Sequence, residues 1–189
     1  MLETLLSWDH ILFDLINQSL TNSFLDTVLP IMRNKYVWVP FYIFLIAYFN
    51  INYGLKGLAI SLMVVITITI SDQTSSSLIK ESVERLRPCK QEGIAEEARL
   101  LIEHCGAGYS FTSSHATNHF ALAGFLATLL GVRWRWVSAA VLIWAFVVSY
   151  AQVYVGVHFP FDVLSGGILG FIIGKVMATI TGTVLAFEP

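Results

Sequence analysis

"VLSGGILGFIIGKVMATITGTVLAF", residues 163–187, decides what kind of chain this is. It carries one charge, Lys175, and is otherwise aliphatic, aromatic or small. A helix crossing the roughly 30 Å hydrocarbon core of a bilayer needs about 20 apolar residues, so Val163–Phe187 is expected to span. Gly166, Gly170 and Gly174 recur at four-residue intervals, which strips the side chains from one helical face. Lipid offers no hydrophobic drive for helices to associate, and a bare face lets a neighbouring helix approach closely. That packing is expected within the chain rather than between two copies.

Four more runs of the same kind precede it: Tyr36–Asn52, Gly57–Ile79, Ala116–Gly131 and Trp136–Val155. Trp38, Tyr42 and Tyr48 suit the membrane–water interfaces. No alternating strand pattern competes, so the fold class is all-α, an integral-membrane helix bundle. Composition agrees. The 189 residues are 56% hydrophobic and 13% charged, with a mean hydropathy of +0.68, whereas soluble domains run at about 45–50% and 25%. No linker or low-complexity stretch interrupts the chain, and residues 1–189 read as one membrane-embedded domain. A net charge of -2 leaves no basic patch able to neutralise a run of phosphates, which excludes a nucleic-acid partner.

Residues 4–32 differ. Trp8, Ile11, Leu12, Leu15 and Ile16 fall at helical spacing, but Asp9, Asp14, Asn17 and Asp26 interrupt them. This is the pattern of an amphipathic helix lying in the interface, with a poor first transmembrane helix as the alternative. Glu3 and Asp9 stand where a secretory signal would be positive, so the N-terminus is expected to be retained.

The hydrophilic stretch 80–112 holds Lys80, Arg85, Arg87, Lys90 and Arg99 against six glutamates, and both cysteines, Cys89 and Cys105. Two thiols in one loop and none elsewhere are expected to form a disulfide, which belongs to an oxidising compartment. Counting crossings puts this loop and residues 152–162 on one face. Lys56, Arg133 and Arg135 fall in short connections on the other, the basic side that is usually cytoplasmic.

Three segments thus meet on the polar face. "KESVERLRP" supplies Lys80 and Arg87; "TSSHATNH" supplies Ser113, Ser114, His115 and His119; "AQVYVGVHFPFD" supplies Gln152, His158 and Asp162. Singly, each has a bland reading: snorkelling cations, a helix cap, an acid in the first turn of a helix. Together, ionisable groups at membrane depth mark function. Two cations, Ser113 and the N–H groups opening a helix make an anion cradle. His158 offers a nucleophilic nitrogen whose other N–H Asp162 can hold, and His115 can protonate a leaving oxygen. That is a phosphoryl-transfer site with no metal and no cofactor. His115 and His119 share the i, i+4 spacing of H-E-x-x-H, but Ala116 replaces the glutamate base, so a zinc site is not supported.

These segments resemble the type 2 phosphatidic acid phosphatase superfamily, with its K-x6-R-P, P-S-G-H and S-R-x5-H-x3-D motifs. The first is matched in full. The second keeps Ser113 and His115, with Thr112 and Ser114 in place of proline and glycine. The third keeps His158 and Asp162, with Ala151 and Gln152 in place of serine and arginine. The resemblance implies hydrolysis of a lipid phosphate or diphosphate through a phosphohistidine on His158, oriented by Asp162, with His115 as proton donor. Lys80, Arg87 and Ser113 would hold the phosphoryl oxygens, with Ser114 and Gln152 at the matching positions. Undecaprenyl diphosphate, phosphatidylglycerophosphate, lipid A phosphate and phosphatidic acid are the candidate substrates. The expected setting is a bacterial inner membrane, with the site facing the periplasm. Glutamine for arginine at 152 loses a charged fork, about 1.5–3 kcal/mol. A slowed phosphatase is therefore expected, with a non-catalytic lipid-phosphate binder as the alternative. A vanadate haloperoxidase, larger and soluble, is disfavoured by the apolar spans.

Overall fold

A computed structural model describes residues 2–131 and 133–187. Among the described residues every regular element is helical. Helix α1 (Leu2–Asp14) runs into a π-helical turn, Leu15–Ser19. Helix α2 (Ser23–Met32) starts at Asn22, whose side chain accepts the Leu25 N–H at 2.9 Å, the usual way a cap satisfies an orphan donor. Helix α3 covers Val39–Gln73 and continues through Thr74–Ile79 into a last turn, Lys80–Val83. Helix α4 is Ser114–Leu130, α5 is Arg135–Tyr154 and α6 is Pro160–Leu185.

Helix α3 is a hairpin. Gly54 adopts φ 55° and ψ -127° in its middle, a conformation that only glycine reaches easily. Asn50 Nδ2 then donates to Ser61 Oγ at 3.2 Å. In a straight helix those eleven residues would stand about 16 Å apart. The two expected spans at 36–52 and 57–79 are the two arms of this hairpin. By length and hydropathy, three stretches suffice to cross a bilayer: Lys35–Val83, Arg135–Tyr154 and Pro160–Leu185. The third expected span, α4, is shorter at 17 residues. Most of it is buried among the other helices rather than facing outward.

The closest packing in the bundle joins α4 to α6, and the glycine stripe permits it. A Cβ on Gly170 would come within 2.0 Å of the Thr117 carbonyl oxygen, and one on Gly174 within 2.0 Å of that of Ala121. At the polar end the same approach lets the Ser113 N–H donate to the Asp162 carbonyl at 3.0 Å. The helix starts that carry His115 and Asp162 are fixed against each other by this contact.

Helix α1 lies across the polar end of the bundle. Asp9 accepts the Phe161 N–H at 2.8 Å, Phe13 packs on Phe159 with ring centroids 5.4 Å apart, and Asn17 donates to the Tyr154 carbonyl at 2.8 Å. All three contacts touch the end of α5 or the start of α6. A helix running along the bundle would instead touch its neighbours over their length. Leu5, Trp8, Ile11 and Leu15 face outward, which matches the interfacial reading. At the opposite end Lys56 Nζ donates to the Ala186 carbonyl at 3.1 Å, so the hairpin turn and the end of α6 share one side.

Gly170→Ala should force α4 and α6 apart and lower stability by about 1–3 kcal/mol, as overpacking does. Gly182→Ala, with nothing within 4 Å of the added Cβ, should leave the unfolding temperature in detergent nearly unchanged. Equal effects of the two would contradict the packing described.

Candidate active site

The loop between Val83 and Ser113 is anchored at several points. Cys89 and Cys105 are joined as a disulfide, Cα–Cα 5.9 Å. Arg99 Nη2 donates to both carboxylate oxygens of Asp26 at 2.8 and 2.7 Å, and Asn17 accepts its backbone N–H at 2.8 Å. The Ser110 N–H donates to the Arg85 carbonyl at 2.7 Å. These bonds seat the loop over the starts of α4 and α6.

The loop brings Arg87 and Ser110 to His158, and Lys80, at the end of α3, is bonded to the same loop. Lys80 Nζ donates to the Tyr109 carbonyl at 2.9 Å. Arg87 donates to the carbonyls of Gly108, Ala107 and Val157, and its Nη1 stands 3.1 Å from His158 Nε2. A guanidinium has only donors. The His158 Nε2 must therefore present its lone pair, and the ring proton is assigned to Nδ1. That nitrogen lies 3.3 Å from Ser110 Oγ and 3.5 Å from Asp162 Oδ2. The network thus leaves an unprotonated imidazole nitrogen pointing at a cation.

Burial, partly offset by the Asp162 hydrogen bond, holds the His158 imidazole down at about 4, so it is neutral at pH 7. Asp162 accepts from Ser110 Oγ, from the Phe159 N–H at 2.8 Å and from Arg85 Nη1 at 2.8 Å. Arg85 also pairs with Asp9 at 2.7 Å, and its guanidinium lies over the Phe159 ring, 4.1 Å from the centroid. These partners orient the carboxylate that faces His158.

Ser113 caps α4, its Oγ accepting the Ala116 N–H at 3.4 Å. Ser114 Oγ accepts from Ser75 Oγ at 3.0 Å. His115, one residue further, is partly exposed, its ring parallel to that of His119 with centroids 6.3 Å apart. His119 Nδ1 bonds the His115 carbonyl at 2.8 Å and its ring rests on Trp144. Among the described residues no group of histidine, cysteine and acid side chains is arranged to hold a metal.

From His115 a groove of about 550 Å³ runs between the α3 hairpin and α4. Asp72, Ser114, Asn118 and His119 line its polar end, and Phe49, Leu45 and Leu122 its apolar end. Ile46 and Val65 on its edge are more than half exposed, so the groove opens sideways on the lipid-facing surface.

Gln152 departs from expectation. Its side chain is wholly buried, and Oε1 accepts from Arg33 Nε at 3.3 Å while Nε2 points to the Val148 carbonyl at 3.5 Å. Four groups at the site were not singled out from the sequence: Arg33, Asp9, Arg85 and Ser110. None has a local signature, since each arrives by tertiary contact from a segment with its own ordinary reading.

A family model described as "PAP2 superfamily" matches residues 58–185. A lipid A 4'-phosphatase of Bacteroides thetaiotaomicron is 36% identical over 149 residues, which are 78% of this chain and 65% of that protein. The chain thus spans less than two thirds of that relative's length. An undecaprenyl-diphosphatase of Sulfolobus acidocaldarius is 31% identical over 91% of this chain and 78% of its own. The crystal structure of a transmembrane PAP2-type phosphatidylglycerolphosphate phosphatase from Bacillus subtilis superposes with a TM-score of 0.74. At 20% identity, it covers 98% of this chain and 90% of that one.

With a native pKa near 4 against about 6.5 unfolded, His158 binds fewer protons folded than unfolded in that window. Stability is then lost as pH falls from 6.5 to 4, by roughly 3 kcal/mol. The gap in unfolding temperature between wild type and His158→Asn should shift against wild type over that range. A gap constant from pH 7 to 4 would refute the depressed pKa.

Proposed function

The chain belongs to the PAP2 superfamily, and from that premise we propose that it hydrolyses the phosphate of a membrane lipid through His158. The observation that carries the reading is the His158 Nε2 lone pair, aimed at Arg87 in a pocket whose cations Lys80 and Arg87 have no carboxylate partner among the described residues. Buried cations without counter-ions are costly, and a phosphate would satisfy them. Nε2 would attack phosphorus while the bond to the leaving oxygen breaks, and Arg87 would turn from the ring to the equatorial oxygens. His115 would give its proton to the leaving oxygen; the dianionic phosphate nearby favours its protonated form. Asp162 would steady the cationic phosphohistidine through Nδ1–H. In the second half His115 would take a proton from water, the water oxygen would displace Nε2, and orthophosphate would leave. No metal enters these steps.

The B. thetaiotaomicron relative's name ranks a lipid A phosphate first, ahead of undecaprenyl diphosphate, phosphatidylglycerophosphate and phosphatidic acid. The sideways groove suits one lipid chain extending from the phosphate at His115. We further propose a bacterial inner membrane with the site facing the periplasm. The Cys89–Cys105 disulfide and the Lys56, Arg133 and Arg135 connections on the far side support it.

Detergent-solubilised protein offered those four lipids should release phosphate from at least one, with EDTA present. His158→Ala should lower that rate by about three decades or more, as loss of a nucleophile does. Release that survives the substitution would overturn the mechanism. Thiol titration of protein denatured without reductant should find no free thiols, and a count of two would remove the support for a periplasmic site.

A further inference from the structure

The buried and partly buried cations at the polar end fall into two sets. Arg85 and Arg99 are paired with Asp9, Asp162 and Asp26. Lys80, Arg87 and Arg33 form no ion pair among the described residues. Lys80 and Arg87 each donate to two or more backbone carbonyls. Arg33 does not. Its one side-chain hydrogen bond among the described residues runs from Nε to Gln152 Oε1, which leaves the two terminal nitrogens, the fork that grips carboxylates and phosphates, without a protein partner. The residue is partly buried, and burial together with the positive charge of Arg87 lowers its pKa. The residue it bonds, Gln152, accepts the His158 N–H at its carbonyl at 3.3 Å, which sets Arg33 beside the His158 segment, and a partly buried guanidinium with no ion pair is unfavourable until an anion arrives.

Its backbone is pinned as well. Helix α2 ends at Met32, the Arg33 N–H donates to the Leu29 carbonyl at 3.1 Å, and the Met32 carbonyl accepts from Trp38 Nε1 at 2.7 Å. Trp38 in turn stands edge-on to Trp144. Gln152 occupies the position where the matching motif has arginine, and it is this amide that grips Arg33.

We propose that Arg33 is a third phosphate-binding cation of this site, and that Gln152 is the positioning residue that holds it there. The inference rests on the phosphatase reading. The charge expected at 152 would then come from the α2–α3 connection, and the glutamine would not weaken the pocket.

Orthovanadate binding by calorimetry, beside lipid-phosphate turnover, tests this on detergent-solubilised protein. Arg33→Gln should weaken orthovanadate by about 10- to 100-fold, the cost of a charge-assisted contact, and Arg33→Lys should fall in between. Gln152→Ala should weaken binding in the wild-type background and change nothing in the Arg33→Gln background, because the amide acts only through Arg33. Gln152→Arg alone should bind no tighter, since two guanidinium groups would face each other. Combined with Arg33→Gln it should recover to within about tenfold of wild type. A merely structural role for either residue would not produce that recovery. If Arg33→Gln fails to fold, Arg33→Lys and the double variant decide.

Wild-type affinity in Arg33→Gln, a strong gain from Gln152→Arg alone, or additive losses at the two positions would each overturn the inference. A wild type that turns over lipid phosphate while Arg33→Gln stays unimpaired sinks only this inference. A wild type that neither binds orthovanadate nor releases phosphate from any lipid sinks the parent reading with it.

Discussion

Arg85 lies between two wholly buried carboxylates, Asp9 and Asp162, with the Phe159 ring beneath it. Two acids this close in a low-dielectric setting would repel each other and resist ionising. The guanidinium makes the arrangement tenable, and in doing so it ties three parts of the chain together. Asp9 belongs to the helix that crosses the polar end, Arg85 to the loop after α3, and Asp162 to the first turn of α6. Removing the cation would leave two buried anions, a defect costing far more than the pair contributes when intact. The carboxylate that faces His158 is held in its orientation by this bridge, by Ser110 and by the Phe159 N–H.

Orientation of His158 follows from what its two nitrogens meet. Ser110 and Asp162 on one side and Arg87 on the other admit a single tautomer. Arg87, beside Nε2, and Lys80 are held by backbone carbonyls, and neither forms an ion pair with an acid among the described residues. The positive potential is therefore built before any ligand arrives, and little reorganisation is needed when negative charge is delivered.

Much of this was legible in the sequence. The apolar runs marked the helices, and the glycine stripe at 166, 170 and 174 marked the seam between α4 and α6. Lys80, Arg87, Ser113, His115, His158 and Asp162 carry local spacing that survives any fold, and the structure brings them to one end of the bundle. Arg33, Asp9, Arg85 and Ser110 carry none. Arg33 stands alone after a short apolar helix; Asp9 reads as an interruption of an amphipathic face. Their roles come from contacts across 119 residues (Arg33 to Gln152) and 152 residues (Asp9 to Phe161), which no periodicity encodes. The surroundings of Gln152 are hidden from the sequence for the same reason, since its amide meets a partner that lies far away in the chain.

The groove beside His115 opens between the arms of the α3 hairpin and α4, toward the surface where Ile46 and Val65 would meet acyl chains. A lipid entering there need never leave the bilayer. Its headgroup would arrive by diffusion in two dimensions, so encounter would depend on its mole fraction among the surrounding lipids rather than on any bulk concentration. Dilution with inert lipid or detergent would then act as a competitor for the groove. The orthophosphate product, with no chain to follow, would leave by the aqueous side, so the two products would part in different phases.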